Sequence, residues 1–411
     1  MPRSPSSPAF WRSPLRGPWF TSVLGVVLLA GITVLFVTGL LSYAAYNPDL
    51  SPVNDQTPDK GLLGFYLFSW PTHPSWLYRL TQGVHVTLGI ALIPVLLAKL
   101  WSVVPKLFAL PPARSLAHAL ERLSLLLLVG GGLFEFTTGV LNVQLDYIFP
   151  GSFYPLHFYG AWVFFAAFLA HAVLKTPLAL RNLRHIRYEQ PSGEGELVSP
   201  NPADPTVSRR GALGVVGGGS LLLLATTAGR SFDGPLRETA VLAPHGGPEP
   251  GGGPGGFQIN KTAAYAGISP TETGEEAWRL VVTGRDGRSV RLDRPQLLQL
   301  ALHSSALPIA CVEGWSTSDQ WWRGVRLRDL AALVGHDDPV DVFVESLQRH
   351  GAFRRAALRA NQVADPRSLL ALFVNGEDLT PDHGYPARVI VPAAPGVLNT
   401  KWVARMTFGD L

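Results

Sequence analysis

Four side chains stand out as carriers of redox chemistry. Cys311 is the single cysteine of the chain, so it forms no intramolecular disulfide, no paired-cysteine zinc site and no dithiol redox pair. In an oxidising compartment a lone thiol needs burial, an intermolecular bond or a metal, and a soft thiolate suits direct metal coordination. His85, His157 and His171 fall inside long apolar runs, where an ionisable side chain is costly and marks function until otherwise explained. His157 and His171 are fourteen residues apart, which on a helix is about 40° short of four turns and roughly 21 Å of rise. They share one face, one near each leaflet. Imidazole is a good axial ligand for haem iron, so this pair suits two stacked b-type haems, each taking a second imidazole from a facing helix. The alternative is a haem-free anchor in which the histidines hydrogen-bond between helices.

The elements that must position these residues follow from composition. Of 411 residues, 47% are hydrophobic and 16% charged, against about 25% charged in an average soluble protein. Uniform fibrous or disordered readings are excluded. Trp19 to Ser42, Trp76 to Trp101, Leu120 to Leu141 and Leu156 to Leu178 each approach or exceed the roughly 20 residues that cross a bilayer. Basic residues mark the cytoplasmic side: Arg3, Arg12 and Arg16 before helix 1, Lys99, Lys106, Arg114 and Arg122 around the second loop, and Arg181, Arg184 and Arg187 after helix 4. The opposite loops hold Asp49, Asp55, Asp59 and Asp146, with Lys60 as their one basic residue. Residues 1–18 are therefore expected inside, and 19–190 form the membrane domain.

Residues 191–232 read as a cytoplasmic linker. It contains Ser208-Arg209-Arg210 and then a short, mildly apolar segment with four glycines, the construction of a twin-arginine export signal. Residues 233–256 read as a Gly/Pro-rich tether, and 257–411 as a domain outside the membrane. In that last domain, Leu280 to Val282, Val290 to Leu292, Val340 to Val344 and Arg388 to Val391 read as strands and Leu327 to Val334 as an amphipathic helix.

Two resemblances sharpen this. The stretch from His157-Phe158-Tyr159-Gly160-Ala161-Trp162 to His171, with His85 ahead of Gly89, resembles the four-helix cytochrome b subunits of bacterial dehydrogenases and hydrogenases. It implies haem ligation by His85, His157 and His171. Helix 1 departs from that pattern in having no histidine. Trp76 and Tyr78 look like an interfacial belt that puts His85 near the outer surface, which favours pairing with His157; His171 is then an orphan or pairs with His118. One b-type haem is expected, with two as the alternative.

Pro308-Ile309-Ala310-Cys311-Val312-Glu313-Gly314-Trp315-Ser316, followed by Trp321-Trp322-Arg323-Gly324-Val325, resembles the sulfite oxidase family of molybdopterin enzymes. The resemblance implies an α+β domain in which Cys311 is the catalytic residue and molybdenum ligand. It also implies that Asn260, Lys261, Glu313, Trp315, Asn375, Gly376, Gly384 and Lys401 bind the molybdenum-molybdopterin cofactor. Cys-Val-Glu-x-Trp looks closer to the branch that reduces protein methionine sulfoxide, and Arg323, Arg349, Arg354 and Arg355 are candidates to clamp an anionic substrate. The expected protein is a multi-pass oxidoreductase of the bacterial plasma membrane. It couples the quinone pool through haem to the reduction of S-oxides or N-oxides, and its partners are the lipid bilayer, quinone and a small-molecule or protein S-oxide, without nucleic acid. The alternatives are a sulfite-type oxidase passing electrons to the membrane, and a haem-free binding module.

Overall fold

The computed structural model describes residues 5, 7, 10–50, 68–108, 115–144, 148–150, 153–184, 199, 201–232, 234–242, 244, 253–349 and 354–411. Arg3, Asp55, Asp59, Lys60, Arg114, Asp146 and Arg187 lie outside these residues, as do the side chain of His118 and residues 245–252 of the tether. The chain divides into two compact units, Met1–Val37 with His85–Thr226, and Thr38–Val84 with Thr227–Leu411.

Apolar runs in hydrocarbon must satisfy their backbone internally, which only a helix or a closed barrel does. The first unit is accordingly built on α1 (Pro18–Ala45), α2 (Leu77–Leu107), α3 (Leu116–Val143), α4 (Phe153–Arg184) and α5 (Arg209–Thr227), of which α1 and α2 run on into the second unit. Phe20, Leu24, Leu28 and Ile32 form one buried cluster with Leu92, Val95, Leu96, Phe164 and Phe168. Small residues let the helices approach: a Cβ at Gly31 would lie 2.5 Å from Leu92 Cδ1, and one at Gly131 3.1 Å from Phe164 Cβ. Among the described residues five helices are long and apolar enough to cross a membrane, the fifth being Arg209–Arg230. This corrects the expectation of a short fifth segment, since 22 residues of helix rise about 33 Å.

The second unit carries two five-stranded sheets. The first has the order β2 (Ser289–Leu292), β1 (Leu280–Thr283), β10 (Val403–Phe408), β5 (Val342–Ser346), β6 (Arg355–Leu358), with β1 and β10 parallel. The second runs β3 (Leu302–Leu307), β4 (Gln320–Arg326), β7 (Leu369–Val374), β8 (Glu377–Asp378), and β9 (Arg388–Ile390) also pairs with β7, at Leu369, Leu370 and Ala371. The mixed α+β reading holds. In β4 the pleat puts Trp322 in the core at 0% exposure and leaves Trp321 at 55%, the alternation expected of a half-buried strand. Trp322 joins Leu307, Leu369, Ala371, Val374 and Ile390 in the core beneath Cys311. Burial of an aliphatic side chain of that kind is worth about 1.5–3 kcal/mol.

The unit also takes in residues from either side of the membrane helices. Asn47 Nδ2 donates to Ala357 O (3.1 Å) and Gln362 Oε1 (2.9 Å), and Trp70 Nε1 to Ala393 O (2.7 Å). The tether is corrected at both ends. Leu236–Thr239 is a helical turn with Arg237 buried, while Pro254 O and Gly255 O are bonded by Asn375 Nδ2 and the His383 ring.

Register shifts between Arg323 and Gly324 where β4 meets β7, and a Cβ at Gly324 would lie 2.0 Å from Leu370 O. Gly324→Ala is therefore expected to cost about 3 kcal/mol through forced backbone separation, read as a lower urea midpoint by tryptophan fluorescence.

Candidate functional site

Residues between β3 and β4 carry Cys311 on a tight turn. Cys311 N–H donates to Trp315 O (2.9 Å) and Gly314 N–H to Cys311 O (3.0 Å), with Gly314 at φ 88°, a left-handed conformation that glycine adopts without strain. Thr317 N–H donates to Ile309 O (2.9 Å) and Ile309 N–H to Thr317 Oγ1 (3.0 Å), closing the base. Gly396 N–H donates to Ala310 O (2.7 Å), and a Cβ there would stand 3.2 Å from that oxygen. Cys311 is 4% exposed. Burial, with the Glu313 carboxylate adding to it, pushes the thiol well above its usual range, so a thiolate here needs a positive partner. Glu313 also accepts from Trp315 Nε1 (2.6 Å).

Beside the turn opens a cleft lined by Asn260, Lys261, Trp315, His383, Arg388 and Lys401 among others. Ile309 and Gly396 line it too, while Cys311 is not among the lining residues; a Cβ at Gly396 would stand 3.7 Å from Cys311 Cα. One wall is cationic. Lys401 Nζ donates to Asp382 O (2.9 Å) and to Lys261 O, and Arg388 donates through Nη1 to His383 O (3.1 Å) and through Nη2 to Asn399 O (3.2 Å). Burial lowers Arg388 to about 9; burial and then the neighbouring Arg388 hold Lys401 well below the lysine range. His383 stacks on Phe257 at 3.8 Å and burial lowers it to about 4, leaving it neutral at pH 7. Arg388 Nε, Asn399 Nδ2 and Thr400 Oγ1 are buried without a hydrogen-bond partner among the described residues.

In the first unit, the rings of His85 and His157 stand 6.2 Å apart at 81°. His85 Nδ1 lies 3.0 Å from Leu35 O. His157 Nδ1 lies 3.0 Å from Thr138 Oγ1 and 3.1 Å from Glu135 Oε2. His171 lies fourteen residues further along α4.

Residues 266–410 match the family described as the oxidoreductase molybdopterin binding domain. Residues 266–410 form such a domain. Mitochondrial sulfite oxidase of Mus musculus is 31% identical over 156 residues, 32% of this chain and 29% of that protein. The uncharacterized oxidoreductase YuiH of Bacillus subtilis (strain 168) is 30% identical over 131 residues, 32% of this chain and 65% of that protein. The sulfane dehydrogenase SoxCD structure from Paracoccus pantotrophus aligns over 34% of this chain and 39% of its own, at 23% identity and a TM-score of 0.30. The chain thus spans about three-tenths of the length of the mouse sulfite oxidase it matches.

The residues of the molybdopterin-binding domain fit its cofactor by their chemistry. A phosphate-bearing pterin needs cations and donors in one wall and a soft metal ligand nearby. Lys401, Arg388, Asn399 and Thr400 offer the first, three of them through atoms that are otherwise unpartnered, and Cys311 offers the second. Of the cofactor residues expected from sequence, Asn260, Lys261, Trp315 and Lys401 line the cleft. Gly384 does not, but at φ 109° its missing side chain leaves room for the stems of Lys401 and Arg388, 3.1 and 3.2 Å from where a Cβ would sit. Glu313 is turned toward Trp315 rather than into the cleft.

Asn375 and Gly376 are not among the residues that line the cleft. Both have positive φ, 51° and 91°, and they form the two-residue turn between β7 and β8, a place where Asn-Gly is favoured for its backbone alone. The Asn375 side chain is spent on Trp321 N–H, Gln320 Oε1 and Pro254 O. Arg323, Arg349, Arg354 and Arg355 do not line the cleft either; Arg349 pairs with Glu272, and Arg323 lies over Phe373. Sequence reading missed Arg388, Asn399 and Thr400. The available signal was a charged residue at 388 in an otherwise apolar run, Ala387 to Val391.

Unfolded histidine takes its proton near 6.5, folded His383 only near 4. Between those values the unfolded chain binds more protons, so stability falls as pH is lowered through that window. The urea midpoint of the wild type is expected to drop from pH 6.5 to pH 4 more steeply than that of His383→Gln.

Proposed function

We propose that the protein is a membrane-bound molybdopterin-dependent oxidoreductase that reduces S-oxides or N-oxides such as methionine sulfoxide, with electrons drawn from the quinone pool through b-type haem. The observation that carries this reading is the buried Cys311 turn beside a cationic cleft in a molybdopterin-binding domain. When bound, the cofactor supplies oxygen-atom exchange at molybdenum, two electrons at a time. Cys311 contributes the protein's thiolate. Lys401 and Arg388 hold the phosphate end, and Asn399 and Thr400 add neutral donors. The Glu313 carboxylate next to Cys311 works against a dianion such as sulfite and tolerates a neutral S-oxide. Sulfite-type oxidation is the second reading, favoured by the likeness to sulfite oxidases.

The purified protein is expected to contain molybdenum by elemental analysis, and its reduced form to be reoxidised by methionine sulfoxide faster than its oxidised form is reduced by sulfite. The opposite order makes it an oxidase. Cys311→Ala abolishes turnover, and Lys401→Met lowers the molybdenum content of protein that still folds.

His85 and His157 are proposed as the two axial ligands of one b-type haem. Their ring centroids stand 6.2 Å apart, so both imidazoles would be within reach of one haem iron, which would supply one-electron transfer. Their Nδ1 atoms already engage Leu35, Thr138 and Glu135, as the outer nitrogens of ligating histidines do. His85→Ala and His157→Ala should each remove most haem from the pyridine haemochrome spectrum, while His171→Ala spares it. The basic flanks and Arg209-Arg210 support a cytoplasmic N-terminus and export of the molybdopterin-binding domain across a bacterial plasma membrane, with the arginine pair as the export signal.

A further inference from the structure

The turn Cys311–Gly314 directs three successive carbonyls toward chain that lies outside residues 266–410. Each is taken by one side chain. Gln82 Nε2 donates to Val312 O (2.5 Å), Arg230 Nη2 to Glu313 O (2.7 Å) and Ser231 Oγ to Gly314 O (2.5 Å). The contact is returned by Ser316, whose N–H donates to Arg230 O (2.8 Å) and whose Oγ donates to Ser231 O (2.8 Å), while Arg237 Nη2 donates to Ser316 O (2.9 Å). Gln82 belongs to the second turn of α2, and Arg230 and Ser231 follow α5 directly.

These groups are interior. Gln82 is 4% exposed, and Arg230 and Ser231 are 0% exposed; a guanidinium is buried only where its hydrogen bonds repay desolvation. The backbone is shaped to bring them there. A Cβ at Gly83 would lie 2.6 Å from the Phe232 ring, and one at Gly229 1.8 Å from Leu236 O, so glycine lets Phe232 pack against the start of α2 and lets Leu236 approach the backbone at 229.

We propose that Gln82, Arg230 and Ser231 are positioning residues that fix the direction in which the turn presents the Cys311 thiol. The ends of two apolar helices thereby complete the site, and the molybdopterin-binding domain by itself leaves three turn carbonyls without their donors. The functional consequence rests on the reading of Cys311 as the metal ligand; the geometry does not.

Because the chain has one cysteine, maleimide labelling of full-length, cofactor-free protein reports on Cys311 alone. Labelling of the wild type should be slow. Gln82→Ala and Ser231→Ala should each accelerate it at least tenfold, and the pair more, with urea midpoints close to wild type. Arg230→Lys, which keeps charge but loses the forked donor, should fall on the same side and serves if Arg230→Ala does not fold. Thr283→Ala, in the first sheet, should leave the rate unchanged. Unchanged labelling in both single alanine variants, or an acceleration matched by equally faster global unfolding, overturns the proposal. Molybdenum content of the wild type is measured separately: accelerated labelling with no molybdenum would uphold the positioning role while sinking the ligand reading.

Discussion

Arg388 and Lys401 are cations buried in one wall, and two like charges out of water repel strongly while losing their hydration. Main-chain oxygen is what makes this tolerable: His383 O and Asn399 O face the guanidinium, Asp382 O and Lys261 O the ammonium. Much of the local backbone follows from that need. Gly384 turns left-handed so that the 383 carbonyl and the two cationic stems fit together, and Trp402, next to Lys401, is itself held at φ 51°. Burial lowers both cations, and an anion in the cleft would reverse that tendency. The same wall that is awkward for the protein alone is thus suited to a phosphate-bearing group.

The buried thiol of Cys311 obeys the opposite logic. Burial and the neighbouring carboxylate keep Cys311 protonated in the bare protein, whereas a metal would favour the thiolate. Rigid presentation then matters more than reactivity. The turn is tied at its base by Ile309 and Thr317 and along its outer carbonyls by Gln82, Arg230 and Ser231, so its orientation is set from both sides.

Helix packing in the first unit runs on a different principle. Lipid gives little hydrophobic drive between helices, so contact depends on Gly31, Gly131 and Gly132 admitting Leu92 and Phe164. Polar ties are few and placed with purpose: the buried Glu135 and Thr138 meet the His157 ring, where an isolated acid in hydrocarbon would be costly.

Sequence alone determined the long apolar helices, because runs of twenty or more apolar residues read as helices able to cross a bilayer, and it marked Cys311 and the three histidines by rarity and setting. Motif likeness also singled out Asn260, Lys261, Trp315 and Lys401, which the fold brings to one cleft. Tertiary structure decided the rest. Arg388, Asn399 and Thr400 come to the cleft only when β9 and the chain after it are folded against the Cys311 turn, since the apolar run around Arg388 hints at burial but not at what the side chain faces. Asn375 and Gly376 form a hairpin turn whose positive φ favours those residue types whatever their function. Gln82 and Arg230 lie 230 and 83 residues from the carbonyls they hold, a pairing that no local pattern encodes and that exists only once the chain has closed upon itself.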